Sequence, residues 1–316
     1  MIDIIIPVYN TPEEDLLRCL NSLKNQTYQN FKVIIIDDGS NEITANILDN
    51  YCNSNNNFIV KHIPNGGVSN ARNIGLELAS NKYLTFVDAD DEVEPNFLKE
   101  SLELLESNNL DMIVGGYQEL EGNTITRTRL CEEGLHIYEG KDKDKYFDKL
   151  LSGKLCNDNK ELKDAPTGRI YTRLYKRSSI KELFNKNIKI SEDTLFVIDL
   201  MKHLNRIGVI DRIWYKYYQN PYSIVHQEFK EEQLNNLLAF LNEIYLRMLN
   251  ESNPRIKNAY KMRVFKTCAD IKDKLLNVDK NIFKRELFIN SFKNLDLTNY
   301  INIKDKEIEF LDYIEE

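Results

Sequence analysis

The sequence predicts an α/β layer fold, with a mainly parallel sheet flanked by helices and a helical C-terminal extension. Three observations lead there. Continuous apolar runs alternate with helical-period segments over the first 117 residues, as βαβ units require. Two of the runs stop abruptly in acidic loops, at Asp37-Asp38 and at Asp88-Ala89-Asp90-Asp91. From about residue 228 the pattern is helical to the end, with no Gly after 208 and one Pro, at 254.

The elements follow in order. "IDIIIP" (2–7) is apolar throughout, like a strand buried on both faces, and ends at Pro7. "EEDLLRCLNSLKNQ" (13–26) has helical spacing, with acids in its first turn where the helix dipole favours them. "FKVIIIDDGS" (31–40) is a second buried strand that breaks at Asp-Asp-Gly-Ser, before a helix near 42–53 and a strand "FIVKHI" (58–63). "PNGG" leads into a helix near 69–79 and a strand at 82–88. After Pro95 come a helix (96–107) and the strand "DMIVGGY" (111–117). Residues 120–165 are polar, and antiparallel strands with a helix near 141–152 are expected there. "RIYTRLYKRSSI" (169–180) and "RIWYKYYQN" (212–220) read as strands flanking a helix that begins near Glu192. A boundary near 225 divides the chain into domains 1–225 and 226–316.

Bulk properties narrow the function. The 316 residues are 42% hydrophobic, enough for a sizeable core. A net charge of −8 and a pI near 5.3 exclude a general nucleic-acid binder, which would be basic. No apolar run approaches the roughly 18 residues that span a bilayer, and the N-terminus reads as a strand rather than a signal peptide. Five scattered cysteines without a CxxC pair indicate reduced thiols, a cytoplasmic protein and no zinc site.

In open α/β sheets, ligands bind outside the carboxyl ends of the strands, where both acidic loops fall. Residues i and i+2 of an extended segment share a side, so Asp88 and Asp90 face one point while Asp91 faces another. Hard anionic oxygens suit Mg²⁺ or Mn²⁺, which complete their shells with substrate phosphates. An EF-hand is ruled out, because its required Gly and Glu positions hold Val93 and Lys99. An Asp-nucleophile phosphatase fits the strand and DxD, but its usual Thr is Glu92 here. A DxD by itself is most simply a solvated acidic turn. Likewise Ser191-Glu192-Asp193 by itself is a helix N-cap with dipole-friendly acids.

The order of motifs changes that balance. "IIIPVYN", "LLRCLNSLKNQTYQNFKVIIIDDGS" and "NGGVSNARNIGLELASNKYLTFVDADD", then "LYKRSSI", "SEDTLF" and "YYQNPYSIVH", resemble the inverting glycosyltransferases of family 2 over roughly residues 1–226. The resemblance implies a GT-A (Rossmann-like) fold. It implies a donor site built from the loop Pro7, Val8, Tyr9 and Asn10, with Tyr9 offering a stacking face and Asp38 accepting the uracil N–H. Gly67 and Arg72 fall in the same donor site, where Arg72 pairs with a phosphate or with the Asp88 region. Asp90 then ligates Mn²⁺ or Mg²⁺, Asp88 contacts ribose or metal, and Ala89 lies between them. Asp91 reaches donor sugar hydroxyls, and His226 lies near the metal and diphosphate. Asp193 matches the general base, supported by Glu192. Trp214 and Tyr217 are candidates for stacking on the acceptor sugar, while His62, His136 and His203 are assigned to structure.

Together these imply a metal-dependent transferase that moves a sugar from a UDP-sugar to a hydroxyl of a cell-surface glycan, teichoic acid, capsule or lipid-linked acceptor. Membrane helices and a QxxRW motif, the marks of processive relatives, are absent from the sequence. A non-catalytic nucleotide-sugar-binding partner of a glycan assembly complex is the alternative. Residues 255–293 carry eleven Lys/Arg against four Asp/Glu. That stretch suits an oligomer contact, an anionic glycopolymer or an anionic membrane surface, or is simply a solvated face. An anionic surface of that kind would place the protein at the inner face of the cell membrane.

Overall fold

The computed structural model describes residues 1–129, 133–152, 168–219 and 231–277. The chain divides into two compact units, Met1–Gln227 and Glu228–Glu316.

The first unit is built on one sheet. Strands β1 (Ile2–Val8), β2 (Phe31–Asp37), β3 (Phe58–His62) and β4 (Tyr83–Phe86) alternate with helices α1 (Glu13–Lys24), α2 (Glu42–Asn53) and α3 (Val68–Leu78). These four strands run parallel in the order β3-β2-β1-β4. After β5 (Glu92–Val93) and α4 (Phe97–Ser107) come β6 (Met112–Glu121), β7 (Thr124–Arg129), β8 (Leu135–Glu139) and α5 (Lys143–Ser152). The unit finishes with β9 (Arg173–Lys176), α6 (Glu192–Leu200) and β10 (Arg206–Tyr218). β9 joins antiparallel to both β4 and β6, while β10 lies parallel to β6, so the sheet continues as β4-β9-β6-β10-β5. The result is the expected α/β architecture, with a mainly parallel central sheet flanked by helices.

The apolar runs account for the core. Ile2, Ile4, Ile5, Ile6 and Ile34, Ile35, Ile36 are all inaccessible to solvent, as central strands covered on both faces must be. Pro7 and Val8, expected in the first loop, belong to β1, opposite Ile36 and Asp37. Pro7 is tolerated because pairing with β4 stops at Ile5 and Phe86, so its missing N–H leaves no partner wanting on that side. Helix α2 starts where Asn41 accepts from the Thr44 N–H at 3.0 Å, a side-chain N-cap. Asp3, fully buried, is satisfied by the N–H groups of Ser80 and Asn81 at 2.8 and 2.7 Å and fixes the turn into β4.

Trp214 is core rather than acceptor platform. It is 1% exposed, donates from Nε1 to Glu100 at 3.0 Å, and lies over Gly115. A Cβ at Gly115 would stand 2.3 Å from the indole. This contact sets β10 against β6 and so places Tyr215 and Tyr217.

The second unit contains α7 (Glu231–Asn250) and α8 (Pro254–Asn277). Pro254 opens α8 at the one helical position where its lack of N–H costs nothing. Phe240, Leu241 and Ile244 of α7 and Ala259, Tyr260 and Val264 of α8 are buried. The basic stretch noted above coincides with α8 up to residue 277 and lies outside the described residues beyond it.

Replacing Gly115 with Ala pushes a methyl into the Trp214 ring and is expected to destabilise the protein by about 1–3 kcal/mol. Chemical denaturation of Gly115→Ala against the parent measures this directly.

Candidate active site

Acidic residues stand at three positions, in the loops after β2 and β4 and in the first turn of α6. The first follows β2. Asp38 is buried, and both its oxygens accept from glycine N–H groups, Gly66 and Gly67, at 2.8 Å each. A carboxylate with two such donors is spent on shaping a loop. Asp38 holds the turn in which Gly67, at φ +86°, precedes α3; only glycine adopts that angle freely. Asn10, at φ +51°, accepts from the Asn41 N–H at 2.8 Å and donates its own N–H to Ser40 at 3.0 Å. The loops after β1 and β2 are thereby stitched together. Tyr9 stands between them, 57% exposed, presenting its ring to solvent.

The second position is the loop after β4. Its backbone is anchored by α1: Arg18 donates to the Asp90 carbonyl and Cys19 to the Asp88 carbonyl. The three acids point different ways. Asp91 is fully buried and accepts from the Tyr215 hydroxyl at 2.7 Å and the Tyr218 N–H at 2.9 Å. It therefore does not reach a donor sugar, as the sequence suggested. It is an internal strut, and the Tyr215 hydroxyl that it holds accepts in turn from the Asp88 N–H at 3.1 Å. Asp88 and Asp90 remain for a ligand. The Asp90 carboxylate has no side-chain donor among the described residues. Burial, and then the charge of Asp88, push its pKa up to about 6.

The third position is the start of α6, and Arg72 joins it to the second. Arg72 is buried; it donates to Asp88 Oδ1 at 3.0 Å and to Glu192 Oε1 at 2.7 Å. Burial disfavours its charge, but Asp88, Glu192 and Asp193 outweigh burial and hold its pKa above the ordinary value. Of the two expectations for Arg72, the geometry shows pairing with Asp88. Glu192 is pushed up to about 7 by burial, against the pull of Arg72. Burial likewise raises Asp193, while Arg72, the Thr194 N–H at 2.6 Å and Arg169 pull it back. Ser191, before the helix, sits at φ +63° with no capping bond from its side chain. A non-glycine residue in that region is strained, as at many functional turns.

Two further groups stand near these positions, of which the sequence singled out only Tyr217. Tyr215 stacks on Tyr171, ring centres 4.1 Å apart, and Tyr171 stacks more distantly on Tyr217. Arg169 lies over Tyr117, Tyr217 and Tyr171 at 4.8, 5.0 and 5.7 Å. Among the histidines, His62 bonds Asp37 and Asp49, and His203 bonds Glu182, in keeping with structural roles. His226 lies outside the described residues.

No group of three or more His, Cys, Asp or Glu among the described residues is arranged to hold a metal by itself. Two carboxylates are nevertheless apt for Mg²⁺ or Mn²⁺, which commonly take one or two carboxylates and fill the shell with water and phosphate. Asp90 is desolvated and its carboxylate has no ion pair among the described residues, and Asp88 keeps one oxygen clear of Arg72. The donor set fits such an ion.

The chain is similar to known proteins in sequence and in fold. The family model described as glycosyl transferase family 2 matches residues 3–184, more than half of the chain. The chain is 26% identical over 265 residues to an uncharacterized glycosyltransferase, EpsJ, of Bacillus subtilis, spanning 77% of this chain and 70% of that protein. It is 34% identical over 212 residues to an uncharacterized glycosyltransferase of Haemophilus influenzae, spanning 65% and 74%. Against two further relatives the match spans only 48% of the relative's length. Among solved structures, residues 1–349 of S. aureus TarS in complex with UDP-GlcNAc share the fold, with a TM-score of 0.67, 19% identity and coverage of 94% and 80%.

The raised pKa of Asp90 has a sign that can be checked. Its folded value, about 6, exceeds the unfolded value of 3.8, so the folded state holds the proton more tightly. Without divalent ions, stability falls as pH rises from about 4 to 6 and stays lower above that. Asp90→Asn mimics the neutral form. It is expected to be more stable than the parent at pH 8, by on the order of 1–3 kcal/mol, with a correspondingly higher unfolding temperature, and to match the parent near pH 4. Thermal melts in chelator across that range test it.

Proposed function

The chain belongs to glycosyltransferase family 2, and from that premise we propose that it transfers a hexosyl or N-acetylhexosaminyl group, with inversion, from a UDP-sugar. The acceptor is a hydroxyl of a cell-surface glycan, teichoic acid, capsule or lipid-linked precursor. The observation that carries the reading is the Arg72 bridge, which brings Asp88 and Glu192, from distant parts of the chain, into one site beside Asp90 and Asp193.

Tyr9 stacks on the base, at the mouth formed by the stitched loops. Asp38 contributes through the Gly66-Gly67 turn that it shapes. Asp88 and Asp90 hold Mn²⁺ or Mg²⁺, which supplies charge neutralisation for the diphosphate when bound. Asp193 takes the acceptor's hydroxyl proton. The freed oxygen forms its bond to the anomeric carbon from the face opposite the diphosphate, and the bond to the diphosphate oxygen breaks with its electron pair leaving on UDP. Burial makes Asp193 a better proton acceptor than a free carboxylate, and Arg72 and Arg169 keep it ionised for the task. The UDP-GlcNAc complex of TarS supports a uridine nucleotide donor by analogy of fold.

We assign the transfer to residues 1–225, and acceptor binding, oligomerisation or contact with a membrane surface to 226–316. No helix among the described residues is long and apolar enough to cross a membrane. That fits an enzyme working in the cytoplasm at the inner face of the membrane.

Asp193→Asn is expected to lower UDP release from a UDP-sugar by about 10²-fold or more, with UDP affinity within a few-fold of the parent. Turnover assays and calorimetry on the same preparation decide it. Full turnover in the variant overturns the assignment of the base, and absence of turnover in the parent with every UDP-sugar points to a non-catalytic binding partner.

A further inference from the structure

Arg169 acts on Asp193 through space but forms no ion pair with any described residue. Arg72, by contrast, is matched by two carboxylates, and Arg18 pairs with Asp15. Arg169 has no carboxylate of the described residues within ion-pair distance, and its hydrogen bond goes to the neutral Tyr171 hydroxyl. It is half-buried, and its guanidinium lies against Tyr117, Tyr171 and Tyr217. A charge that is partly desolvated and has no carboxylate in direct contact is costly. Stacking against several rings repays part of that cost and fixes the plane of the N–H fork.

Its position gives the expense a use. Gly168 abuts α6 so closely that a Cβ there would stand 2.2 Å from the Thr194 hydroxyl, one residue from Asp193. On its other side Tyr171 stacks on Tyr215, whose hydroxyl binds both Asp91 and the Asp88 N–H. Arg169 is thus placed between the two carboxylate groups. An anion entering between Asp88, Asp90 and Asp193 meets repulsion from all three, and a pre-oriented guanidinium offsets it. The planar fork matches phosphate oxygens in a bidentate manner.

We propose that Arg169, held flat by Tyr117, Tyr171 and Tyr217, is a phosphate-binding residue of the active site. The inference rests on the glycosyltransferase reading above and adds a substrate contact to it. Two phosphates are chemically equivalent here, the diphosphate of the donor and a phosphodiester or phosphomonoester on the acceptor, and the test separates them.

The experiment is calorimetric titration of the parent and Arg169→Gln with uridine, with UDP and Mn²⁺, and then with glycerol 3-phosphate added to the UDP-loaded protein. Uridine affinity is expected to be equal in the two, which shows that the variant is folded around its base site. A loss of about tenfold or more in UDP affinity assigns Arg169 to the donor diphosphate. Unchanged UDP affinity with a similar loss for glycerol 3-phosphate assigns it to the acceptor. UDP and glycerol 3-phosphate responses both within twofold of the parent overturn the proposal while leaving the donor reading intact. A parent protein that binds no UDP overturns the donor reading and this assignment with it. Should the Gln variant not fold, Arg169→Lys is read the same way, with a smaller loss of about threefold, since it keeps the charge but not the planar fork.

Discussion

The site depends on one buried cation. Arg72 sits on α3, between a loop that ends β4 and a helix that begins over a hundred residues later, and it bonds a carboxylate from each. Without it, Asp88 and Glu192 would lose the cation that bonds them both, and Asp193 would keep only Arg169 and the Thr194 N–H to offset its charge. Removing one member of such a buried arrangement typically costs about 3–5 kcal/mol, because the remaining charges are left unmatched. The pairing therefore specifies geometry as much as it stabilises. It fixes how far the Asp88–Asp90 loop stands from Asp193, and hence where a sugar bonded to a diphosphate must lie.

Around that centre, several residues whose polar groups are spent on internal hydrogen bonds hold the acidic loop in place. Asp91 and Tyr215 lock the acidic loop from inside, and Arg18 and Cys19 of α1 hold its carbonyls from the other side. Asp38 spends both oxygens on Gly66 and Gly67, keeping the start of α3 open toward the first loop. Trp214, packed over Gly115, seats β10 so that Tyr215 arrives beneath the loop. The Asp90 carboxylate, in contrast, takes no side-chain hydrogen bond among the described residues. A carboxylate pushed up to about 6 by burial and by a like charge is poised to gain from a cation.

Much of this was legible in the sequence, for physical reasons. Strands covered on both faces read as unbroken Ile and Val, so β1 and β2 were plain, and acidic residues at their carboxyl ends marked the ligand side of the sheet. The i, i+2 rule separated Asp91 from Asp88 and Asp90. What waited on its other side, the hydroxyl of Tyr215, lies 124 residues away, so no local pattern announces it. Trp214 looked like a sugar platform because an aromatic in a polar strand is ambiguous until its neighbour is known; that neighbour is Gly115. Arg169 was not singled out within its aromatic and basic stretch because its environment comes from Tyr117, Tyr171 and Tyr217, which only the folded sheet brings together. Pro7 and Val8 were assigned to a loop because Pro usually ends a strand, and the stop of β4 pairing at Ile5 removes that constraint.

The most direct test of the central claim is calorimetric titration of the parent protein with UDP, with and without Mn²⁺, alongside GDP, CDP and dTDP. A site built from Asp88 and Asp90 around a diphosphate predicts that UDP binds tightly only when the metal is present and that Asp90→Ala abolishes the difference. Equal binding with and without metal, or no nucleotide binding at all, would contradict the role given to the acidic loop.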